Sequence, residues 1–340
     1  MGIKNLHSFL RSKAHPIYKT ISLDDLENTK LAVDTSIYMC RYKSSMGTKW
    51  LHGFWNIIQC FQRKQIIPLF VFDAKAPPEK DMERQHRRLA KAKMMEKVSL
   101  LNEEWEKYQK KNIPFDKETF QSAIEEFPTL SRVLLNRSFE NQEEIVSYLI
   151  KIENAQTKIC QEDFDLLRNL FDVCGINYIT APGEAEAACA YLNRNGSVDG
   201  VLTEDTDVLA YRTPTMYHNF NHKKNLVDVI HTSDILKELS LESETFLDFT
   251  ICCGTDYNKN MTKIGPHRAY ELLKKHGRIE SIPDLDTSCL NYERVRELFN
   301  PIYEDFDIRW ESVINLGALN LFCFRNNLRW NEEIRVLFQS

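Results

Sequence analysis

The chain has 340 residues, 43% of them hydrophobic, enough for one large α/β domain or two ordinary ones with a sizeable core. No apolar run reaches the roughly eighteen residues of a membrane span, and nine scattered cysteines, odd in number and without a Cys-x-x-Cys pair, speak against a disulfide framework and a structural zinc site and for a reduced, intracellular protein. The formal charge of −5 excludes a uniformly basic nucleic-acid binder, so the placement of the cations matters more than their sum.

The opening Met1-Gly2-Ile3-Lys4-Asn5-Leu6 lacks the apolar core of a secretory signal, and Leu6 stands where a myristoylation motif requires Ser or Thr. Lys30-Leu31-Ala32-Val33-Asp34 is a short apolar run ending in an acid, and Ile67 to Asp73 repeats the pattern. Both predict buried strands of a mostly parallel sheet, joined by a crossover helix over Leu51 to Lys64. Pro78 to about Lys111 is long, charged and helical in pattern. It carries Arg84, His86, Arg87, Arg88, Lys91 and Lys93 with no acid among them.

Residues 112 to 160 are harder to read, with Pro114 and Pro128 interrupting short amphipathic stretches. Further strands are predicted at Ile176 to Ile179 and at Asp199 to Leu202, with a helix from Glu184 to Arg194 between them. This alternation predicts an α/β fold with helices on both faces of the sheet. A second basic cluster runs Lys263, His267, Arg268, Lys274, Lys275, His276 and Arg278. The last sixty residues are predicted to be helical, with Trp310 and Trp330.

In such sheets sites form beyond the carboxyl ends of the strands. Asp34, Asp73 and Thr203-Glu204-Asp205-Thr206-Asp207 emerge there. Glu184 and Glu186, in Ala181-Pro182-Gly183-Glu184-Ala185-Glu186-Ala187, open a helix. Side chains two apart share no helix face, so both can approach one centre only from the first turn. Asp256 follows a further helix in Cys253-Gly254-Thr255-Asp256-Tyr257. Each acid taken alone reads equally as a cap or a turn residue. Seven at one sheet edge would repel strongly without bound cations. Carboxylates with no His or Cys among them suit Mg²⁺ or Mn²⁺, and two such ions suit in-line hydrolysis of a phosphodiester. After Asp256, Ile264-Gly265-Pro266-His267-Arg268-Ala269 forms a turn into a helix over Pro266 to His276. Its free N–H groups suit a DNA phosphate, with Arg268 assisting, although an ordinary turn between helices explains the same residues.

These motifs, in this order, resemble the XPG-type 5′-nucleases, and most closely the flap endonucleases. The matching segments are Met1 to Leu6, Val33 to Ser36, Val71-Phe72-Asp73, Ala181 to Ala187, Thr203 to Asp207, Gly254 to Tyr257 and Ile264-Gly265-Pro266. The resemblance implies a PIN-like 5′-nuclease fold with a twisted central sheet, a helical arch and a helix–two-turn–helix element. It implies one metal on Asp34, Asp73, Glu184 and Glu186 and a second on Asp205, Asp207 and Asp256. Two Mg²⁺ ions, replaceable by Mn²⁺, would serve a monomeric enzyme acting on branched or nicked DNA with a 5′ single-stranded flap. Lys80 and Arg87 stand at the family's spacing for the cations that reach the scissile phosphate. Arg84, Gly2, Tyr38, Gly254, Lys263, Gly265 and Arg268 fall at DNA-contacting places, Tyr38 as a platform for a terminal base. A monovalent cation would sit at the helix–two-turn–helix.

The division implied is 1–110 and 161–280 as nuclease regions, 111–160 as an insertion in or beside the arch, and 281–340 as a helical extension. Lys263 replaces the first Gly of the usual Gly-Ile-Gly, which predicts a looser turn or an added phosphate contact. Leu316 to Cys323 lacks the Gln and one aromatic of a sliding-clamp peptide and reads as core helix. Two alternatives stay open. Val201 to Val208 also fits the Asp-x-Asp nucleophile motif of haloacid-dehalogenase-like phosphatases, with Asp205 attacking phosphate. The other is an inactive relative that only binds branched DNA.

Overall fold

The computed structural model describes residues 2–113, 115–134, 137–310 and 313–339. Seven strands form one sheet: β1 (Lys19–Ser22), β2 (Lys30–Asp34), β3 (Ile67–Phe72), β4 (Asn177–Thr180), β5 (Gly200–Leu202), β6 (Thr215–Asn221) and β7 (Leu226–His231), in the order β1-β7-β6-β5-β2-β3-β4. The five strands β6-β5-β2-β3-β4 run parallel, while β7 and β1 continue the sheet antiparallel. Central β2 lies between β5 and β3, which is why its residues Leu31 to Val33 are apolar without alternation.

Successive side chains of a strand point to opposite faces. Ala32, Leu69, Val71 and Val201 enter a core that also takes residues of the helices Leu6–Lys13, Ala185–Arg194, Thr232–Leu239, Ser243–Cys253 and Pro266–His276. Phe70 and Phe72 face the other way. Phe70 stacks on Phe171 of helix Gln161–Cys174 at 4.3 Å between ring centroids and meets Phe54 of helix Leu51–Arg63 at 6.1 Å. Helices therefore cover both faces, as the alternation predicts. The C-terminal end packs on the second layer, where Trp55 stacks on Phe338 and donates its indole N–H to the Arg329 carbonyl at 3.0 Å.

The sequence pattern does not predict the strands β1, β6 and β7. Thr215–Asn221 has polar His218 and Asn219 in mid-strand and an irregular register between His218 and Asn221, so no alternation marks it. The prediction of a helical final sixty residues is corrected. Residues 301–310 and 313–315 carry neither helix nor strand. Pro301 cannot continue the helix Tyr292–Leu298. Aromatic contacts hold the segment instead: Tyr303 meets Tyr191 at 5.3 Å between centroids, and the Lys30 ammonium lies 4.6 Å from the Trp310 ring centroid. Leu316–Arg325 is a helix with Leu319, Phe322 and Cys323 buried and Leu321 and Phe324 exposed.

The chain divides into two compact units. The first comprises Met1–Met39, Phe54–Asp81 and Gln161–Ser340 and contains the sheet. The second comprises Cys40–Gly53 and Met82–Cys160. Most of the thirty-residue helix Asp81–Lys110 belongs to it, together with Lys117–Ile124, Pro128–Leu134 and Gln142–Asn154. These helices build a core of their own from Leu101, Trp105, Tyr108, Phe120, Ile124 and Leu130 with their neighbours. Glu104 accepts the N–H groups of Thr129 and Leu130 at 2.9 and 2.8 Å, and Asp116 and Asn141 cap the helices that follow them. Pro114, which interrupts the sequence pattern here, lies outside the described residues.

Candidate active site

The parallel strands deliver acids to their carboxyl edge. Asp34 is the last residue of β2, and Asp73 follows β3 by one residue. Glu184 and Glu186 open the helix after β4, and Asp205 and Asp207 follow β5. Asp34 is buried, accepting the Ile37 N–H and the Thr203 hydroxyl, each at 3.2 Å. Burial first, then the Asp73 and Asp205 carboxylates, push its pKa up to about 7. Asp73 is exposed and accepts the Ala185 N–H at 2.7 Å, so it binds the N-terminus of the helix whose cap is Glu184.

Lys80 is the cation of this group. Its ammonium is paired with Glu184 and lies 3.4 Å from both Glu186 and Asp256. Burial disfavours its charge, but Glu186, Glu184 and Asp256 outweigh that effect and its pKa is raised. Glu186 is itself pushed well up by burial, with Lys80 opposing and Glu184 and Asp73 adding to the rise.

The second set forms around a tight loop. The Asp205 N–H donates to the Thr203 hydroxyl at 3.1 Å, and the Asp207 N–H to the Asp205 carboxylate at 3.0 Å. The Asp207 carboxylate is 0% exposed and both its oxygens lack a hydrogen-bond partner. Its pKa is driven well up by burial, then by Asp205 and Asp256. A buried, unpartnered carboxyl is costly unless something supplies its partner. Among the described residues no three His, Cys, Asp or Glu side chains form a metal cage as they stand. The donor set nevertheless fits a hard divalent cation: it is all carboxylate, it contains this orphaned acid, and three of its acids share the Lys80 ammonium.

Gly2 belongs to the same neighbourhood. Its φ is +86°, and a Cβ there would collide with the Asp205 carboxylate, a combination only glycine tolerates. The Ile3 N–H donates to the Thr206 hydroxyl at 2.9 Å and the Lys4 N–H to the Gly254 carbonyl at 3.1 Å, so the N-terminal segment ties the Asp205 loop to the Asp256 loop. Gly254 is at φ +99°, against Asn260. Lys263, Gly265 and Arg268 are exposed around the start of helix Pro266–His276, and Gly265 has open space where a Cβ would be.

The predicted residues thus separate. Asp34, Asp73, Glu184, Glu186, Asp205, Asp207, Asp256, Lys80, Gly2 and Gly254 all belong to the sheet-bearing unit. Arg84 and Arg87 belong to the second unit, where Arg87 pairs with Glu83 at 2.9 Å. Tyr38 is corrected: it is 1% exposed, and a ring with no solvent face offers no platform to a base. Sequence reasoning missed Thr203, Thr206 and the phenols of Tyr211 and Tyr257. The Tyr257 hydroxyl donates to Glu184 and lies 2.6 Å from that of Tyr211. For Tyr257 the signal was its place beside Asp256; for Tyr211 there was none.

A mostly parallel sheet with helices on both faces and a carboxylate-only cluster at its carboxyl edge defines an α/β protein whose acidic edge suits metal-dependent phosphoester chemistry. The XPG N-terminal domain model matches residues 1–94 and the XPG I-region model residues 175–256. The probable RAD2-like endonuclease 076L of Invertebrate iridescent virus 3 is 33% identical over 88% of this chain and 85% of its own length. Flap endonuclease 1-2 of Paramecium tetraurelia is 30% identical over 89% of this chain and 72% of its own. In fold, the chain is similar to the catalytic core of Rad2 in complex with DNA substrate, with a TM-score of 0.64 at 20% identity over 99% of this chain and all of that one. The chain belongs to the XPG family of structure-specific 5′-nucleases, a metal-dependent type of nuclease. The phosphatase reading of Asp205 falls with that membership.

Proposed function

We propose that the protein is a Mg²⁺-dependent 5′-flap endonuclease and 5′–3′ exonuclease. Its substrate is branched or nicked duplex DNA, met during replication, repair or recombination. The observation that carries this reading is the carboxylate cluster at the strand ends, with its unpartnered, buried Asp207. In this reading Asp34, Asp73, Glu184 and Glu186 hold one ion and Asp205, Asp207 and Asp256 the other. When bound, the two ions, Mg²⁺ or Mn²⁺, supply charge neutralisation at the phosphate and activation of water. Lys80, held by Glu184, Glu186 and Asp256, presents a fixed cation to the scissile phosphate. Arg87 is the second phosphate ligand, and Arg84 a backbone contact. The exposed helix start at Gly265, with Lys263 and Arg268, binds duplex phosphates through N–H groups and side-chain charge. A monovalent cation at that turn belongs to the same reading, as does a monomeric enzyme. The iridovirus and flap endonuclease relatives support a DNA-replication setting and a flapped substrate.

The test uses end-labelled flap, bubble, nicked, junction and blunt DNA with purified protein and Mg²⁺. Wild type cuts the 5′-flapped duplex. Asp205→Ala reduces that cutting by about 10³-fold or more while flap binding persists in Ca²⁺. Cutting at the wild-type rate by Asp205→Ala overturns the assignment.

A further inference from the structure

Two buried phenols join three of the segments that carry acids, those of Glu184, Asp207 and Asp256. The Tyr257 hydroxyl reaches Glu184, and the Tyr211 hydroxyl lies 2.6 Å from that of Tyr257. A phenol has one proton to donate, and that of Tyr257 goes to Glu184. Tyr211 must therefore donate to Tyr257. The relay runs Tyr211 to Tyr257 to Glu184, with its direction fixed by this count.

Its anchoring is equally specific. Tyr211 ends the one-turn helix Asp207–Ala210 and donates its N–H to the Asp207 carbonyl at 3.0 Å. Tyr257 directly follows Asp256, and its N–H donates to the Thr255 hydroxyl at 3.1 Å. Phe299 meets both rings edge-on, at 4.8 Å from Tyr211 and 5.2 Å from Tyr257, which holds the phenols in register. Tyr211 is 1% exposed, so a hydroxyl there would be costly without a partner. Lys80 takes the other Glu184 oxygen, leaving that carboxylate fixed at both ends.

We infer that Tyr211 and Tyr257 are positioning residues that couple the Glu184 acid set to the Asp207 and Asp256 set, so that the two cations bind as a pair and not independently. The inference rests on the two-cation reading given above. Neither phenol is assigned to a cation or to the phosphate; both act through Glu184 and through the loops they belong to.

The experiment compares wild type, Tyr257→Phe, Tyr211→Phe, the double Phe variant and Asp205→Ala. Mn²⁺ binding without DNA is read by calorimetry and by electron paramagnetic resonance, and cleavage is read as a function of Mg²⁺ concentration. The Phe variants keep their rings and their fold, checked by circular dichroism. Tyr257→Phe is expected to weaken Mn²⁺ binding about tenfold, remove cooperativity from the Mg²⁺ curve and leave KM for DNA within about twofold. Tyr211→Phe does the same more weakly, and the double variant is no worse than Tyr257→Phe, because the relay acts as one unit. Phe variants that bind Mn²⁺ as wild type does, while Asp205→Ala loses it, overturn the coupling alone. Wild-type Mn²⁺ binding by Asp205→Ala as well overturns the two-cation reading beneath it. Loss of thermal stability in the Phe variants with unchanged Mn²⁺ binding assigns the phenols to structure only and rejects the inference.

Discussion

Lys263 adopts φ +62°, the left-handed conformation that suits glycine, at the place where the family resemblance implies a glycine. The lysine thus holds a glycine-like backbone shape in this turn. An L-residue held there costs about 1–2 kcal/mol, of which glycine gives back part through its freer unfolded chain. Lys263→Gly is therefore expected to raise unfolding stability by roughly 0.5–1 kcal/mol, read as a higher urea midpoint. A lower midpoint would mean that the lysine side chain contributes more than its backbone costs. At Gly2 glycine is required, since there both the φ and the close approach of Asp205 forbid a side chain.

At the scale of elements, the helix Leu6–Lys13 meets β6 through a histidine pair. His7 Nδ1 lies 2.9 Å from the Tyr18 hydroxyl, and its ring is 5.2 Å from that of His218. Burial first, then His218 and Arg11, lower the His7 pKa to about 4. His218 is lowered too, by burial, with Asp228 opposing and Arg11 adding. A folded pKa below the unfolded value near 6.5 means that the fold favours neutral His7. The contribution is fully present above about pH 6.5 and is lost as the pH falls toward 4. After allowance for partial exposure it amounts to about 2 kcal/mol. His7→Gln is expected to lose about that much less stability than wild type between pH 7 and 4, in chemical unfolding at each pH. Parallel pH profiles for the two proteins would refute this. The crossover units around β2 and β3 could be read from local runs. The pairing of Lys19 with Val229 could not, because its partners lie some two hundred positions apart and the four-residue β1 does not alternate.

At the scale of the molecule, the fold gathers carboxylates whose burial, and then mutual repulsion, raise several of their pKa values. A ligand that binds only the folded arrangement stabilises it by mass action, by about 2.7 kcal/mol at a hundredfold excess over Kd. Millimolar Mg²⁺ or Ca²⁺ is therefore expected to raise Tm by several degrees over protein in chelator, and Asp207→Asn to remove most of the rise. Equal Tm values with cation and with chelator, for wild type, would reject a cation at this edge. Among the described residues no helix is long and apolar enough to cross a membrane.

The parallel β-α-β frame is legible in the chain, as is the placing of Asp34, Asp73, Glu184, Asp205 and Asp207 at strand and helix ends, because apolar runs and helix starts are local patterns. The chain also carries the motif order from which the family could be recognised. Long-range packing sets the rest: Tyr38 is buried, residues 111–160 help build a helical unit with a core of its own, and Lys80 sits among three carboxylates. It alone sets the Tyr211–Tyr257–Glu184 relay, since a hydrogen bond between positions 184 and 257 leaves no periodic trace in the chain. Local chemistry sets which residues end a strand. Packing across distant segments sets which of them meet, and burial then decides whether a meeting of charges requires a cation.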